Sequence, residues 1–215
     1  SATMRFGKDD PRRRQSVIPD LSRFASLELG LEAELIAARD CRGDYRGDER
    51  ANWHFQVNKT VLSAHLVAYN RNPESAGCDR FIWLAVPLLN TAREKNGFPR
   101  EVLIADGAGN PAYFPPNALI FGDGDHDARR AFLRREPVRL EVDVLRLARR
   151  ALAAVKEKRP DVFPDATPDL AGFTITHLNI GWESSGPFRG TVRLRNLSLK
   201  GRLRPAPEEE EGPPF

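Results

Sequence analysis

The sequence contains few of the residues that build covalent or metal-bound frameworks. Only two of its 215 residues are cysteines, too few for a fold held together by disulfides. Neither Cys41 nor Cys78 has a second cysteine or a histidine at the short spacing that a zinc site requires. The sequence leaves open whether Cys41 and Cys78 form a disulfide, since both lie in polar segments that resemble loops. Such a disulfide would favour an exported protein.

Several motifs and compositional biases are also missing. There is no glycine-rich phosphate loop and no GxSxG motif, so P-loop nucleotide binding and serine hydrolysis have no support. No apolar run approaches the length of a membrane span, and no segment has the composition of a secretory signal. Lys and Arg number 33 against 30 Asp and Glu, a balance that does not indicate a nucleic-acid partner. We expect a soluble globular protein with no membrane span.

Alternation of apolar and polar residues is the strongest structural signal in the chain, and it is typical of half-buried strands. Gly30 divides the first such stretch, which therefore predicts a strand pair, and the Asp106–Asn110 turn predicts a hairpin. The turn-rich break at 184–187 predicts a long antiparallel hairpin over 173–204. The run 81–89 is apolar throughout and predicts a buried strand that includes Trp83. The predicted strands lie within 24–38, 51–70, 81–89, 101–105, 111–114, 117–121, 138–144 and 173–204.

One segment, 145–158, has apolar residues at helical spacing and is closed by Pro160. The strands do not alternate with helices, which argues against a parallel α/β fold. The predicted fold is mainly β: a two-sheet antiparallel jelly-roll-like β-sandwich with one inserted α-helix. We expect an irregular N-terminal arm at 1–22, a single β-sandwich domain at 23–204, and a disordered acidic, Pro-rich tail at 205–215.

Polar side chains recur on the predicted strands beside aromatic ones. Asn52, His54 and Gln56 alternate with Trp53 and Phe55. His65 follows on the next strand, and His177 and Asn179 lie on a later one. Amide and imidazole groups pair with sugar hydroxyls, and aromatic faces stack on the apolar side of a pyranose. These residues therefore predict a sugar-binding sheet face, although an ordinary solvent-exposed face has the same alternation.

Trp182 and Glu183 follow this polar stretch directly. Trp182 would provide a stacking platform, and Glu183 would accept sugar hydroxyls or act as an acid or base. The alternative is a packed tryptophan at a sheet corner beside an exposed glutamate. With His54 or His65 as a base and Glu183 as an acid, the same residues would suit a polysaccharide lyase or hydrolase.

Asp123, Asp125 and Asp127 have the alternating acidic spacing that can wrap a hard cation. The segment fails as an EF-hand, because the sixth position is Ala128 and the twelfth is Arg134. The sequence leaves two alternatives for this segment: a Ca²⁺-binding turn of another kind, or an acidic turn that caps a helix. No other cofactor is predicted.

The segments NIGWE at 179–183 and GTVRLRNLSL at 190–199 resemble the last hairpin of jelly-roll carbohydrate-binding modules. The resemblance implies a sandwich that binds sugar on a concave face and, in some members, a structural Ca²⁺ at its edge. The chain departs from the family in its inserted helix and in having only three Trp and three Tyr. These departures favour single chains or short glycans over flat crystalline polysaccharide.

The sequence therefore predicts non-catalytic carbohydrate binding by a polar sheet face. The predicted ligand-binding residues are Asn52, His54, Gln56, His65, Trp182 and Glu183, and the predicted metal ligands are Asp123, Asp125 and Asp127. Two alternatives remain: a structural or protein-interaction domain of a surface or secretion assembly, with a protein partner, and the lyase or hydrolase on the same scaffold. An extracellular or cell-surface location is favoured over a cytoplasmic one.

Overall fold

The computed structural model describes residues 2–5, 20–40, 60–90, 100–121, 134–184 and 188–205. A 3-10 turn at Leu21–Arg23 precedes the first long strand. Neither α-helix in the described ranges is long and apolar enough to cross a membrane. In chain order the elements are β1 (Ala2–Arg5), β2 (Phe24–Asp40), β3 (Thr60–Asn70), β4 (Phe81–Asn90), β5 (Val102–Ala105), β6 (Pro111–Phe114), α1 (Asn117–Phe121), β7 (Val138–Asp143), α2 (Val144–Lys158), β8 (Phe173–Ser184) and β9 (Phe188–Leu203).

The strands form two sheets that share one hydrophobic core, so the predicted mainly β, two-sheet fold is confirmed. The larger sheet has the order β1-β8-β3-β4-β6-β5, and the smaller has the order β7-β2-β9. Leu84 of the larger sheet and Leu29 of the smaller are both buried in that core. Helix α2 contributes Leu147 and Leu152 to it, because its apolar residues recur at helical spacing along one wide face.

The prediction of purely antiparallel sheets is wrong at one pair. Strands β4 and β6 run parallel, and every other strand pair in the described sheets is antiparallel. The predicted β5–β6 hairpin is confirmed, with Asp106 N–H bonded to the Asn110 carbonyl across the turn at 2.9 Å. Strand β5 lies at the outer edge of the sheet, and β6 lies between β4 and β5. Strand β6 is antiparallel to β5 and parallel to β4.

The long hairpin predicted at 173–204 does not form. Both strands exist, but β8 pairs with β1 and β3 in the larger sheet, whereas β9 pairs with β2 in the smaller one. Each strand has one apolar face, and strands in opposite sheets can turn those faces toward the same core. Alternation identifies the buried face of a strand but does not identify its hydrogen-bonding partner.

Strand β2 is one 17-residue strand and not the predicted pair. Gly30 lies in the middle of it, next to an irregularity in its pairing with β9. At that irregularity β9 carries Asn196 with φ of 53°, in the left-handed region that asparagine tolerates better than most residues. The extra residue moves the half-buried positions of β9 from Leu194 to Leu197, which explains the odd spacing in the sequence.

The prediction of a strand at 117–121 is also wrong, because these residues form the short helix α1. Pro115 and Pro116 precede it, and the Pro116 carbonyl accepts a 3.0 Å bond from Leu119 N–H. Proline is well suited to the start of a helix, since it needs no partner for a missing N–H. A five-residue apolar stretch carries no periodicity that could have distinguished the two structures.

The predicted helix at 145–158 is confirmed as α2. The Asp143 carboxylate accepts a 2.9 Å bond from Arg146 N–H and so caps its first turn, and Pro160 follows its end. In the predicted irregular arm at 1–22, Ala2–Arg5 form β1 along the edge of β8. The predicted tail from 206 onward and the predicted helix residues 128–133 lie outside the described residues.

Candidate functional site

The larger sheet has a second face that points away from the core, called the outer face here. On β3, Leu66 and Ala68 enter the core, so His65, Val67 and Tyr69 lie on the outer face. The strand register sets His65 beside Asn179 of β8 and beside Ala85 of β4. The described side chains of this face include His65, Val67, Tyr69, Phe81, Trp83, Ala85, Pro87, Val102, Ile104, Ala112, Phe114, Thr174, His177 and Asn179.

Five rings form an aromatic row across the outer face. The Tyr69 and Phe81 rings stack at 6.1 Å between centroids, and Phe81 meets Trp83 edge to face at 5.5 Å. His65 continues the row, with its ring 6.1 Å from Trp83 and 6.0 Å from Phe114. His65 and Phe114 are buried, whereas Tyr69, Phe81 and Trp83 are half-buried. A ligand would therefore meet the Tyr69–Phe81–Trp83 end of the row.

Trp83 is held in place through its indole nitrogen. Its Nε1–H donates a 2.9 Å hydrogen bond to Asp106 Oδ2 in the β5–β6 turn. Burial raises the pKa of Asp106, but hydrogen bonds from Trp83, Asn110 and Ala108 favour the carboxylate more strongly and lower its pKa overall. The ionised Asp106 thus fixes the indole orientation from the turn, which leaves a rigid ring half-exposed on the sheet.

Tyr69 is fixed at the other end of the row. The Arg71 guanidinium lies 4.4 Å from the centre of its ring, within the range of a cation–π contact. The Tyr69 hydroxyl donates a 3.2 Å hydrogen bond to Asp79 Oδ1. Burial and then the negative charge of Asp79 raise the pKa of Tyr69, so the phenol stays neutral at physiological pH. Its ring is therefore held by Arg71 and Phe81, and its hydroxyl is bonded to Asp79.

Asn179 presents an acceptor that no described residue satisfies. Its Oδ1 is buried and accepts no hydrogen bond from the part of the chain that the structure describes. Buried acceptors without a partner are uncommon in folded proteins, because the lost hydration is not replaced. Two residues away, His177 Nδ1 lies 2.9 Å from Thr176 Oγ1 at the point where β8 carries an extra residue relative to β3. Such a bulge changes the direction of the neighbouring side chains.

Of the predicted ligand-binding residues, only His65 has a described side chain. The structure sets His65 on one face with His177 and Asn179, the other polar residues noted on a later strand. Asn52, His54, Gln56, Asp123, Asp125 and Asp127 lie outside the described residues. The backbones of Trp182 and Glu183 pair with Leu62 and Val61, further along β8 from Asn179, and their side chains lie outside the description.

Sequence reasoning missed the aromatic half of the face. Trp83 was expected to be buried but is half-buried on the outer face, with Phe81 two residues before it on the same side. The run 81–89 is apolar at every position, so alternation could not separate its two faces. The signal available was the concentration of aromatic residues at odd positions in two adjacent predicted strands, namely Tyr69 on β3 and Phe81 and Trp83 on β4.

No metal centre is built from the described part of the chain, where no three His, Cys, Asp or Glu side chains come together as a metal ion requires. Cys78 carries a free thiol, and Cys41 lies beyond the described ranges. Comparison with protein-family models finds none that matches this chain, and comparison with curated proteins finds no significant match.

Proposed function

We propose that this protein binds carbohydrate without catalysis, and that the glycan lies on the outer face of the larger sheet. The observation that carries the proposal is that a half-buried aromatic row and the unpaired Asn179 acceptor share that face. Sugars offer apolar C–H surfaces that stack on aromatic rings, and hydroxyls that donate to an amide oxygen. The two kinds of group needed are therefore present together.

Asn179 supports this function through its energetics. An acceptor that is buried without a partner costs the folded protein free energy that an apolar residue at the same position would not. A sugar hydroxyl that donates to Oδ1 would remove that cost on binding and would distinguish a polyhydroxylated ligand from an apolar one. Trp83, held by a hydrogen bond, supplies a stacking surface that loses little freedom when a ligand binds.

Two further parts of the sequence prediction belong to this proposal. They are a relationship to jelly-roll carbohydrate-binding modules and a Ca²⁺ site at Asp123, Asp125 and Asp127, and both are supported by sequence patterns. In the lyase or hydrolase alternative, His65 would serve as a base. The described ring neighbours of His65 are Trp83 and Phe114, and Asn179 lies beside it in the strand register. The aromatic row and the Asn179 amide are groups that suit binding, so we favour binding over catalysis.

One observation supports a protein-interaction domain as the second candidate. Strand β9 is 16 residues long and pairs with β2 along one side, while no described strand pairs with its other side. An open strand edge can accept a strand from another chain. Arg193 and Arg195 on this strand form ion pairs with Glu34 and Glu32 of β2, and charged side chains commonly protect such edges.

The test is a thermal-shift screen of neutral oligosaccharides, with Ca²⁺ and with EDTA, followed by calorimetric titration of each hit. A ligand that binds the native state raises its melting temperature by mass action. We expect Trp83→Ala to abolish the shift and Trp83→Phe to retain part of it, because phenylalanine keeps a stacking ring. Leu203→Ala, at an exposed apolar residue of the smaller sheet, is the matched control and should leave the shift unchanged.

Three outcomes would change the assignment. Binding that survives Trp83→Ala would remove the outer face as the site. A Ca²⁺-dependent shift without any sugar would support the Asp123–Asp127 turn alone. The absence of any glycan response, together with concentration-dependent self-association in light scattering, would favour the interaction domain.

A further inference from the structure

Helix α2 carries three arginines on the side that faces away from the core. Arg146, Arg149 and Arg150 are three and four residues apart, so they are neighbours on one helix face. They line a groove of about 830 Å³ between α1 and α2. Pro116, Ala118 and Leu119 form its apolar part on the α1 side, and Ala153 continues that surface on α2.

Two of these arginines have no partner within the described part of the chain. Arg146 and Arg149 make no side-chain hydrogen bond or ion pair with any described residue. By contrast, Arg139 pairs with Glu141 at 2.7 Å, and Arg193 pairs with Glu34 at 2.9 Å. The groove therefore offers guanidinium groups that are free to bind an anion.

The third arginine is positioned from the core. Arg150 Nε donates to Glu101 Oε2 at 3.0 Å, and the same oxygen accepts a 3.1 Å bond from the buried Tyr113 hydroxyl. This chain of contacts holds the Arg150 side chain through its Nε. Asp143, the carboxylate that lines the groove, is engaged by the N–H of the first helical turn.

The placement of these arginines is unfavourable for the helix itself. Like charges three or four residues apart repel, and positive charge near a helix N-terminus opposes the helix dipole. The Asp143 carboxylate at the N-cap offsets part of this repulsion, and the first turn itself contains no acidic residue. Positions that break a local rule without a structural gain are typical of functional sites.

We propose that the groove between α1 and α2 binds an organic phosphate or sulfate ester, with Arg146, Arg149 and Arg150 on the anion and Pro116 and Leu119 beneath the organic part. Three guanidinium groups supply more donors than the two oxygens of a carboxylate accept, whereas a phosphate or sulfate ester has three terminal oxygens. The groove volume is in the range of small-molecule sites. This site lies apart from the outer face and does not depend on glycan binding there.

The test is calorimetric titration of the whole chain with phenyl phosphate, phenyl sulfate, benzoate and phenol, which share one apolar ring and differ in head group. We expect one of the two esters to bind more tightly than benzoate, and phenol not to bind. The double variant Arg146→Gln/Arg149→Gln should weaken ester binding about tenfold or more, because each loses a charge-assisted hydrogen bond. Its melting temperature without ligand should stay the same or rise, since the like-charge repulsion is reduced.

The charge-matched control is Arg139→Gln/Arg193→Gln, which removes the same net charge from the smaller sheet and should leave ester affinity unchanged. Equal weakening in both double variants would show general charge attraction and overturn the proposal. So would benzoate binding as tightly as the esters, or no ester binding to the unmodified chain. Neutral-glycan binding to the outer face can succeed or fail without affecting any of these results.

Discussion

Replacing Asn179 with leucine should stabilise this protein while removing its capacity to bind sugar. Leucine has the same branching as asparagine, and its two terminal carbons would replace Oδ1 and Nδ2. Asn179 Oδ1 is buried and unpaired, so the change removes a polar atom that the fold does not satisfy. Most substitutions at binding residues lower stability or leave it unchanged, which makes the expected direction distinctive.

The magnitude follows from the cost of a buried acceptor. An unsatisfied buried group costs about 1–3 kcal/mol, and the lower value applies here because Asn179 as a whole is only half-buried. We therefore expect the free energy of unfolding to rise by about 1 kcal/mol, which in a chain of this length raises the melting temperature by about 2–4 °C. Asparagine is also disfavoured in strands, and this adds in the same direction.

The assay is urea denaturation followed by circular dichroism, with calorimetric titration of the glycan in parallel. Thr191→Leu is the matched control, because Thr191 is an exposed strand residue in the smaller sheet. It should change stability by no more than about 0.5 kcal/mol. A loss of about 1 kcal/mol or more in Asn179→Leu would mean that the amide has a partner in solution. Asn179 Oδ1 would then not be an unused acceptor for a sugar hydroxyl.

Two further predictions concern Gly172 and Asp106. Gly172 has φ of 80°, and a Cβ there would lie 2.7 Å from Asn72 Cβ, so Gly172→Ala should cost about 2 kcal/mol or more of unfolding free energy in urea titrations. Gly107→Ala is its control, because a Cβ there meets nothing within 4 Å; comparable losses in both would refute the steric argument. The lowered pKa of Asp106 predicts that its stabilising effect is fully present above about pH 4, its unfolded pKa, and is lost as pH falls through the lower folded value. The stability difference between the wild type and Asp106→Asn should therefore shrink in acid, and a difference independent of pH would contradict it.

Features that depend on the local spacing of apolar and polar residues were predicted well from the sequence. The core-facing positions of β2, including Leu27, Leu29 and Leu31, follow directly from alternation, and α2 follows from its helical spacing and its end before Pro160. His65, His177 and Asn179 share one sheet face, and parity along β3 and β8 is the signal that places them there.

The missed features depend on contacts between distant segments. Nothing local indicates that β8 pairs with β3 while β9 pairs with β2, since both strands have the same alternating pattern. Phe81 and Trp83 lie in a run that is apolar at every position, so alternation could not show which face of the strand they occupy. The arginine spacing on α2 is visible in the sequence, but its meaning depends on Glu101, a residue 49 positions away from Arg150 that engages this arginine.

The most direct test of the central claim is a two-dimensional ¹H–¹⁵N NMR titration with an oligosaccharide from the thermal-shift screen, with the Trp83 indole signal assigned through Trp83→Phe. If the glycan lies on the outer face, the Trp83 Nε1–H and the Asn179 side-chain amide should shift together with the backbone amides of β3, β4 and β8. Signals from β2 and β9 should stay in place. Binding that moves the β9 signals and leaves Trp83 and Asn179 unchanged would contradict the account.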